Sequence, residues 1–246
     1  MSNVLLPAQL RRFVHRVLLR VGQWPPRGAV RFGALRRLTP IGADWGFSRG
    51  LPIDRWYIER FLEGHADEIQ GRVLEIDMNL YTQKFGGDRV TRSDVLHLSE
   101  MRPGITMVGD LGSPDSFPED VFDCIVLTQT VNLVFDPRAA LTSVRKMLKP
   151  GGVALITVPG MSPMFGDPDG RWGHCWGFTT LSFSKLLGEA FADDSVSVDS
   201  CGNVLSTISF LHGLASEDLK ASELEHRDPE FQLLVLASVV KRGGAG

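Results

Sequence analysis

Residues 120–130 read DVFDCIVLTQT and residues 147–153 read MLKPGGV. The first stretch has the apolar run of a buried strand and ends in polar side chains. Between the two stretches, residues 136–148 are amphipathic and begin with Asp-Pro, which is typical of a helix start. Lys-Pro-Gly-Gly then ends the helix before another apolar run at residues 153–158. This strand–helix–strand order predicts two neighbouring parallel strands.

The same alternation of short apolar runs and helical segments extends along most of the chain. Strands that are apolar on both faces and separated by helices predict a doubly wound, mostly parallel α/β sheet. We place this domain at residues 51–246 and expect seven strands in it. The predicted strands are residues 72–76, 89–93, 104–108, 122–127, 153–158, 195–200 and 231–240.

The N-terminal segment has a different composition. Residues 1–43 contain eight Arg and no Asp or Glu, which leaves 18 basic and 29 acidic residues for the rest of the chain. Between residues 7 and 21 apolar side chains recur at helical spacing. We therefore predict a basic, amphipathic helical extension at residues 1–50. Its apolar face would pack on its own chain or join two copies of it, and a nucleic-acid or anionic-membrane contact is the alternative that we do not favour.

Composition excludes several classes of protein. At 43% hydrophobic and 22% charged residues, the chain is an ordinary soluble globular protein. Its three cysteines lack CxxC spacing, which argues against a disulfide framework and a structural zinc site. No apolar run has the length of a transmembrane segment, and arginines interrupt what would be the core of a secretory signal. We expect a cytoplasmic protein.

Polar side chains follow successive predicted strands, at the edge where an open parallel sheet binds its ligand. They are Glu75 and Asp77, then Asp94, then Asp110, and finally Thr128 with Gln129. Carboxylates there suit hydrogen bonds to ribose hydroxyls and to an exocyclic amine. The chain has neither a P-loop nor a GxGxxG motif, so these positions do not suit phosphate.

Over roughly residues 70–160 the sequence resembles the class I S-adenosylmethionine-dependent methyltransferases. The resemblance rests on the FD-apolar strand and LKPGG turn, on the sequence VGDL at residues 108–111, and on VLEI at residues 73–76. It implies a Rossmann-like methyltransferase fold with S-adenosylmethionine as cofactor. It further implies that Asp110, followed by Leu111, meets the adenine amine and that Asp94 is similar in position to the ribose-binding acid.

The turn after the first strand departs from the family pattern. Residues 77–82 read DMNLYT, where family members have a glycine-rich turn that approaches the cofactor's methionine part. Either Asp77 and Asn79 adopt the positive φ of those glycines, or the cofactor does not bind productively. In the second case the fold serves a cyclisation, rearrangement or elimination, or a non-catalytic binding role.

Two further segments, residues 52–61 and 171–179, resemble a subgroup of methyltransferases associated with glycans or natural products. This resemblance gives Arg55, Tyr57, Trp172 and Trp176 as candidate contacts to a small-molecule or glycan acceptor. The two tryptophans either stack on a flat ring or close a hydrophobic lid.

Methylation of a hydroxyl needs orientation and a base. His174 is the first candidate because it lies in the loop over the binding edge and titrates near neutral pH. His212 is the second, and either imidazole could instead be structural. Asp167 and Asp169 could hold a divalent cation, but we expect no metal. The predicted activity is O-methylation of a sugar or another small metabolite.

Overall fold

The computed structural model describes residues 28, 30–100, 103–167, 169 and 173–243. The chain divides after Thr39, and the second unit, Pro40–Gly246, holds all the strands described. Of the first unit, the described residues include one 3-10 turn at Gly33–Leu35. The predicted amphipathic helix at residues 7–21 lies outside the described residues and stays a prediction.

Seven strands form one sheet in the second unit. Their order across the sheet is β3-β2-β1-β4-β5-β7-β6. All neighbouring pairs are parallel except those that β7 makes with β5 and β6, so the predicted doubly wound, mostly parallel sheet is confirmed. The strands are β1 Gly71–Ile76, β2 Val90–His97, β3 Met107–Val108, β4 Phe122–Thr128, β5 Leu148–Pro159, β6 Ser195–Cys201 and β7 Leu234–Val240.

Helices cover both faces of the sheet, which explains the unbroken apolar runs at residues 124–127 of β4 and 153–156 of β5. One face packs against α2 and α3 through a core that includes Leu127 and Phe183, and the other packs against α1 and α4 through a core that includes Val126 and Phe210. None of the described helices is both long and apolar enough to cross a bilayer. The helices are α1 Ile53–Gly64, α2 Pro137–Met147, α3 Thr180–Ala190, α4 Val204–Leu211 and α5 Ala221–Glu225.

The helix between β4 and β5 begins and ends as its sequence predicts. The carboxylate of Asp136 accepts from the backbone N–H groups of Arg138 and Ala139, and a proline occupies the first turn. At the other end Gly151 has φ +82°, and a Cβ on Gly152 would lie 2.9 Å from the carbonyl oxygens of Lys149 and Phe122. The Gly-Gly pair is therefore required where the chain turns back beside β4.

Residues 40–50, which the sequence placed in the extension, are joined to the sheet unit. The N–H groups of Ile41 and Gly42 donate to the carbonyl of His212 at 2.8 and 3.0 Å. The guanidinium of Arg49 donates twice to the carboxylate of Asp218, at 2.8 and 2.5 Å. This segment is thereby held against the loop that follows α4.

Candidate active site at the carboxyl edge of the sheet

The parallel strands β2, β1, β4 and β5 bring their carboxyl ends to one edge of the sheet, where such folds bind ligands. The turn after β1 begins with Asp77, and β2 ends at His97. Asp110 lies two residues beyond β3, and Gln129 directly follows β4. Of the predicted strand-end residues, the structure therefore places Asp77, Asp110, Thr128 and Gln129 at this edge.

The turn after β1 keeps a glycine-like backbone without a glycine. Asp77 has φ +68°, and its N–H donates to the carbonyl of Leu96 at 2.9 Å. Asp and Asn tolerate this left-handed region better than other side chains, so the expectation for Asp77 is confirmed.

The expectation of a positive φ at Asn79 is wrong, because the chain is already entering a helical turn there. Its carboxamide joins that turn to β2: Nδ2 donates to Ser93 Oγ at 3.0 Å, and Oδ1 accepts from Gln83 Nε2 at 3.0 Å. Asn79 therefore fixes the position of the turn, and its predicted contact with the cofactor stays untested.

Glu75 lies within β1 rather than after it, and its carboxylate is used inside the protein. The oxygens accept from the N–H groups of Tyr81 and Thr82, at 3.1 and 2.7 Å, and from Thr82 Oγ1 at 2.7 Å. Burial raises the pKa of Glu75 and outweighs these hydrogen bonds, which lower it. Glu75 thus caps the helical turn that follows β1 instead of presenting a free carboxylate.

Asp94 is not at the end of its strand, so its predicted placement is wrong. It lies opposite Leu74 in the middle of the β1–β2 pair and is 1% exposed. Its oxygens accept from Arg72 Nε at 2.6 Å and from Arg92 Nη2 at 3.1 Å. Burial raises the pKa of Asp94, but hydrogen bonds from Arg72, Thr106 and Arg92 outweigh that effect and hold the pKa below its usual value. In this structure Asp94 is a buried ion-pair partner.

His97 occupies the strand end where a carboxylate was predicted. Its Nε2 lies 3.6 Å from Asp77 Oδ1, and its Nδ1 is 2.9 Å from the carbonyl oxygen of Ser99. His97 was not predicted, because the polar stretch at residues 91–94 suggested an early end to the strand. The apolar pair Val95-Leu96 was the signal that β2 continues to His97.

Asp110 presents an exposed carboxylate at this edge. Its Oδ1 accepts from the N–H of Gly112 at 2.8 Å, which fixes the loop beside it. The neighbouring Leu111 is buried, and its carbonyl accepts from Ser143 Oγ at 2.7 Å. The loop after β3 is thereby anchored to α2, with the carboxylate of Asp110 directed to solvent.

The loop between β5 and α3 lies against the turn that follows β4. The N–H groups of Cys175 and Trp176 donate to the carbonyl of Asn132 at 2.8 and 3.2 Å. The ring of His174 packs on Phe165 with centroids 4.4 Å apart. Burial lowers the pKa of His174 below its usual value, and its Nδ1 has no hydrogen-bond partner among the described residues. A neutral imidazole is thus held at the edge of the sheet.

The predicted acceptor residues are only partly accessible. Trp176 is 40% exposed, and its Nε1 donates to the carbonyl of Phe135 at 3.1 Å. Trp172 lies outside the described residues. Tyr57 was predicted to contact the acceptor, but it is 5% exposed and its hydroxyl donates to the carbonyl of Leu224 at 2.7 Å. That prediction is wrong, because the ring belongs to the core beneath α1.

Arg55 and His212 lie at helix ends rather than on a strand end. Arg55 is in the first turn of α1, with its Nη1 buried 3.6 Å from Asp54 Oδ2 and without a hydrogen bond to the described residues. His212 follows the last residue of α4. The search of the described residues finds no group of three or more His, Cys, Asp or Glu placed to hold a metal ion.

Comparison with known proteins accounts for this arrangement. Residues 60–156 match the family described as "Methyltransferase domain". Over these residues the chain is similar to a methyltransferase domain. The match confirms the resemblance over these residues, and that resemblance implies S-adenosylmethionine as the cofactor.

One curated relative of the methyltransferase domain is the ubiquinone/menaquinone biosynthesis C-methyltransferase UbiE of Marinomonas sp. (strain MWYL1). It is 30% identical over 87 residues, which are 35% of this chain. The chain therefore spans about a third, 32%, of the length of that relative.

Solved structures share the fold at low sequence identity. YcgJ from Bacillus subtilis has a TM-score of 0.51 at 17% identity and covers 77% of this chain and 100% of its own. The [4+2]-cyclase SpnF has a TM-score of 0.51 at 14% identity, over 80% of this chain and 84% of its own. DhpI in complex with SAH has a TM-score of 0.51 at 18% identity, over 80% of this chain and 89% of its own.

The carboxyl edge of the sheet offers groups that fit S-adenosylmethionine. Asp110 offers an exposed carboxylate for an exocyclic amine, and Asp77 and His97 offer polar atoms for ribose hydroxyls. The left-handed backbone of Asp77 keeps the turn after β1 in a glycine-like conformation. Gln129 Nε2 is a buried donor without a partner among the described residues. These positions fit the adenosine part of the cofactor best.

Proposed function

We propose that the protein is an S-adenosylmethionine-dependent methyltransferase that methylates a hydroxyl of a sugar or another small metabolite. The observation that supports this function is the imidazole of His174. It is half-buried at the carboxyl edge of β4 and β5, and its Nδ1 is unpaired among the described residues. A neutral imidazole in that position can accept the proton of an acceptor hydroxyl.

The edge formed by β1, β2 and β3 would hold the cofactor. Asp110 would accept from the adenine amine, with the backbone of Leu111 beside the ring. Asp77 and His97 would bind the ribose hydroxyls, and Thr128 and Gln129 would lie against the far side of the cofactor. When bound, the cofactor supplies an electrophilic methyl group on a sulfonium.

The chain's own contribution is to orient the acceptor and to remove a proton. Nδ1 of His174 would accept the proton of the acceptor hydroxyl as that oxygen is methylated, and the loop around His174 would orient the acceptor. Because burial lowers the pKa of His174, the ring is neutral and able to accept this proton at neutral pH. Activity should therefore fall as the pH drops through that lowered pKa.

A non-methylating reaction on the same fold is the second candidate. The glycine-free turn after β1 favours it, because this turn carries the exposed side chains of Met78 and Leu80 where the family has a glycine-rich turn. If they fill the space needed by the methionine part, adenosine should bind as well as the whole cofactor.

Calorimetry with S-adenosylhomocysteine and with adenosine separates the two candidates. We expect S-adenosylhomocysteine to bind at least about tenfold more tightly, a difference of about 1.4 kcal/mol. Transfer of labelled methyl groups to a panel of hydroxyl compounds then tests the reaction itself. Equal affinities for the two ligands would exclude productive cofactor binding and favour the second candidate.

His174→Gln tests the base. Loss of a positioned base should lower kcat by about 100-fold or more, while the affinity for S-adenosylhomocysteine should change little. His65→Gln is the matched control, because His65 follows α1 at the opposite edge of the sheet. Equal kcat in wild type and His174→Gln would remove His174 from the reaction.

A further inference from the structure

Residues 40–50, which we call the strap, lie along the loop that follows α4. Hydrogen bonds join both segments, and at two points their backbones are in direct contact. A Cβ on Gly42 would lie 2.5 Å from the carbonyl oxygen of Gly213, and a Cβ on Gly46 would lie 2.6 Å from that of Leu214. Only glycine allows such a close approach, so the path of the strap over the sheet unit is fixed.

One side chain of the strap reaches a different loop. The ring of Trp45 packs edge-on against Phe165, which lies between β5 and α3, with ring centroids 5.2 Å apart. Trp45 also has φ +59°. This left-handed backbone is rare for a bulky residue, and it persists only where the surrounding contacts enforce it. The strained conformation therefore points to a role for the Trp45 side chain beyond the local turn.

Phe165 in turn contacts His174 through both its ring and its backbone. The centroids of these two rings are 4.4 Å apart, and the N–H of His174 donates to the carbonyl of Phe165 at 2.9 Å. The adjacent Gly166 and Gly173 form an antiparallel bridge, and a Cβ on Gly173 would lie 2.8 Å from the Cα of Gly166. Phe165 and His174 therefore face each other in a closely packed pair, and a shift of one ring affects the other.

Packing rather than charge defines the surroundings of the imidazole. Burial lowers the pKa of His174, and no charged group among the described residues contributes to that shift. On the strap, Asp44 accepts from the N–H of Ser48 at 2.8 Å, and Arg49 pairs with Asp218. The described titratable side chains on the loop of His174 and on the turn after β4 are Asp167, Asp169, Cys175 and Asp136. A change of ring at Trp45 therefore alters the packing of His174 and leaves all these charges in place.

We propose that Trp45 is a positioning residue that acts through Phe165 to hold the imidazole of His174 in place. This inference rests on the proposed function, in which Nδ1 of His174 accepts the proton of the acceptor hydroxyl. An error of about 1 Å in the position of a catalytic group can lower a rate by about 100-fold. The strap, which the sequence assigned to an extension, is thereby a working part of the candidate site.

The titration of His174 tests this role without any substrate. Histidine ring signals of isotope-labelled protein are followed by NMR as the pH changes, and His174→Gln identifies the signal of His174. Trp45→Ala should raise the pKa of His174 toward its usual value, because Phe165 loses its support and the imidazole becomes more exposed. Trp45→Phe keeps a ring against Phe165 and should leave the pKa near that of the wild type. An unchanged pKa in Trp45→Ala would overturn the proposal.

Three further variants complete the titration. Phe47→Ala is the matched control, because Phe47 is an aromatic residue of the same strap that is 58% exposed, and the pKa of His174 should not change in it. Phe165→Leu should raise that pKa, and adding Trp45→Ala to it should raise the pKa no further, since Trp45 acts through Phe165. Additive rises would overturn the proposal. Trp45→Leu keeps apolar volume and takes the place of Trp45→Ala in both tests if the alanine variant does not fold.

Methyl transfer measures the consequence for the reaction. With an acceptor from the panel of hydroxyl compounds, Trp45→Ala should lower kcat by at least about tenfold and leave the affinity for S-adenosylhomocysteine and the KM for the acceptor little changed. Trp45→Phe should retain most of the wild-type kcat. Because the pKa of His174 rises in Trp45→Ala, its activity should fall at a higher pH than that of the wild type. A raised KM with unchanged kcat would make Trp45 a binding residue and overturn the positioning role.

The two proposals fail differently in these experiments. If His174→Gln transfers methyl groups as fast as the wild type, the proposed function fails, whereas a raised pKa of His174 in Trp45→Ala still shows that Trp45 holds the ring. If His174→Gln loses activity while Trp45→Ala keeps the pKa and kcat of the wild type, the proposed function stands and the positioning role of Trp45 is excluded.

Discussion

Asp94→Asn should destabilise the protein without weakening the binding of the cofactor. The substitution keeps the shape of the side chain and removes the negative charge that Arg72 Nε contacts at 2.6 Å. The carboxyl side chain is 2% exposed, whereas the side chain of Arg72 is 29% exposed. Water can therefore offset part of the lost interaction on the arginine side, but none of it inside the β1–β2 pair.

The magnitude follows from these exposures. Breaking a fully buried ion pair costs about 3–5 kcal/mol, and a hydrogen bond to a charged group contributes about 1.5–3 kcal/mol. Because the guanidinium keeps some contact with water, we expect a loss of about 2–3 kcal/mol for Asp94→Asn. For a chain of this length that loss corresponds to a fall in Tm of about 4–12 °C.

Urea unfolding and calorimetry with S-adenosylhomocysteine measure the two effects separately. Asp110→Asn is the matched control, because it makes the same chemical change at an exposed carboxylate on the cofactor edge. Its unfolding free energy should change by less than about 0.5 kcal/mol, while its affinity should weaken by about 1–3 kcal/mol. Unchanged stability with weakened affinity in Asp94→Asn would refute the buried ion pair and restore Asp94 as a cofactor ligand.

Three further predictions concern Asp94, Asp77 and Tyr57. The hydrogen-bonded carboxylate of Asp94 has a lowered pKa. Its contribution to stability is therefore present above about pH 4 and is lost as the pH falls through the folded-state pKa. Acid unfolding followed by circular dichroism should show a weaker pH dependence of stability in Asp94→Asn than in the wild type. Asp77→Gly should be tolerated, whereas Asp77→Ala should cost about 1–2 kcal/mol in urea unfolding because φ is +68° there. Equal unfolding free energies for the two variants would contradict the left-handed turn. Tyr57→Phe removes the hydrogen bond to the carbonyl of Leu224 and should lower the unfolding free energy by about 1 kcal/mol. A change in the KM for the acceptor without loss of stability would instead place Tyr57 in the site.

The sheet could be predicted from sequence because its strands are marked by apolar runs and by turn residues. β4 and the Gly-Gly turn before the main part of β5 are examples, since each has a local cause in side-chain size or backbone freedom. β2 was harder to predict, because residues 91–94 of this strand are polar. Asp94 forms its ion pair with Arg72 on the neighbouring strand β1. An arginine on β1 makes Asp94 compatible with the interior, and such a partner across strands is not visible in a local pattern.

Residues of the candidate site were predicted correctly only where they come just after the end of a strand. Asp77, Asp110 and Gln129 follow their strands and lie at the edge as expected. His97 was missed because the polar residues 91–94 suggested that β2 ends before it. The buried Nε2 of Gln129 lacks a hydrogen-bond partner among the described residues, which only three-dimensional packing reveals.

The two outer strands of the sheet bear on how this protein avoids pairing with copies of itself. A free strand edge exposes N–H and C=O groups that another chain can pair with, which is a route to aggregation. At one border β3 has only two residues, Met107–Val108, too few to template a long ladder. At the other border the guanidinium of Arg227 donates to the carbonyl of Ser200 and to the carboxylate of Asp199. A charged side chain therefore blocks part of the backbone at the free side of β6, and edge-to-edge growth of the sheet is disfavoured at both borders.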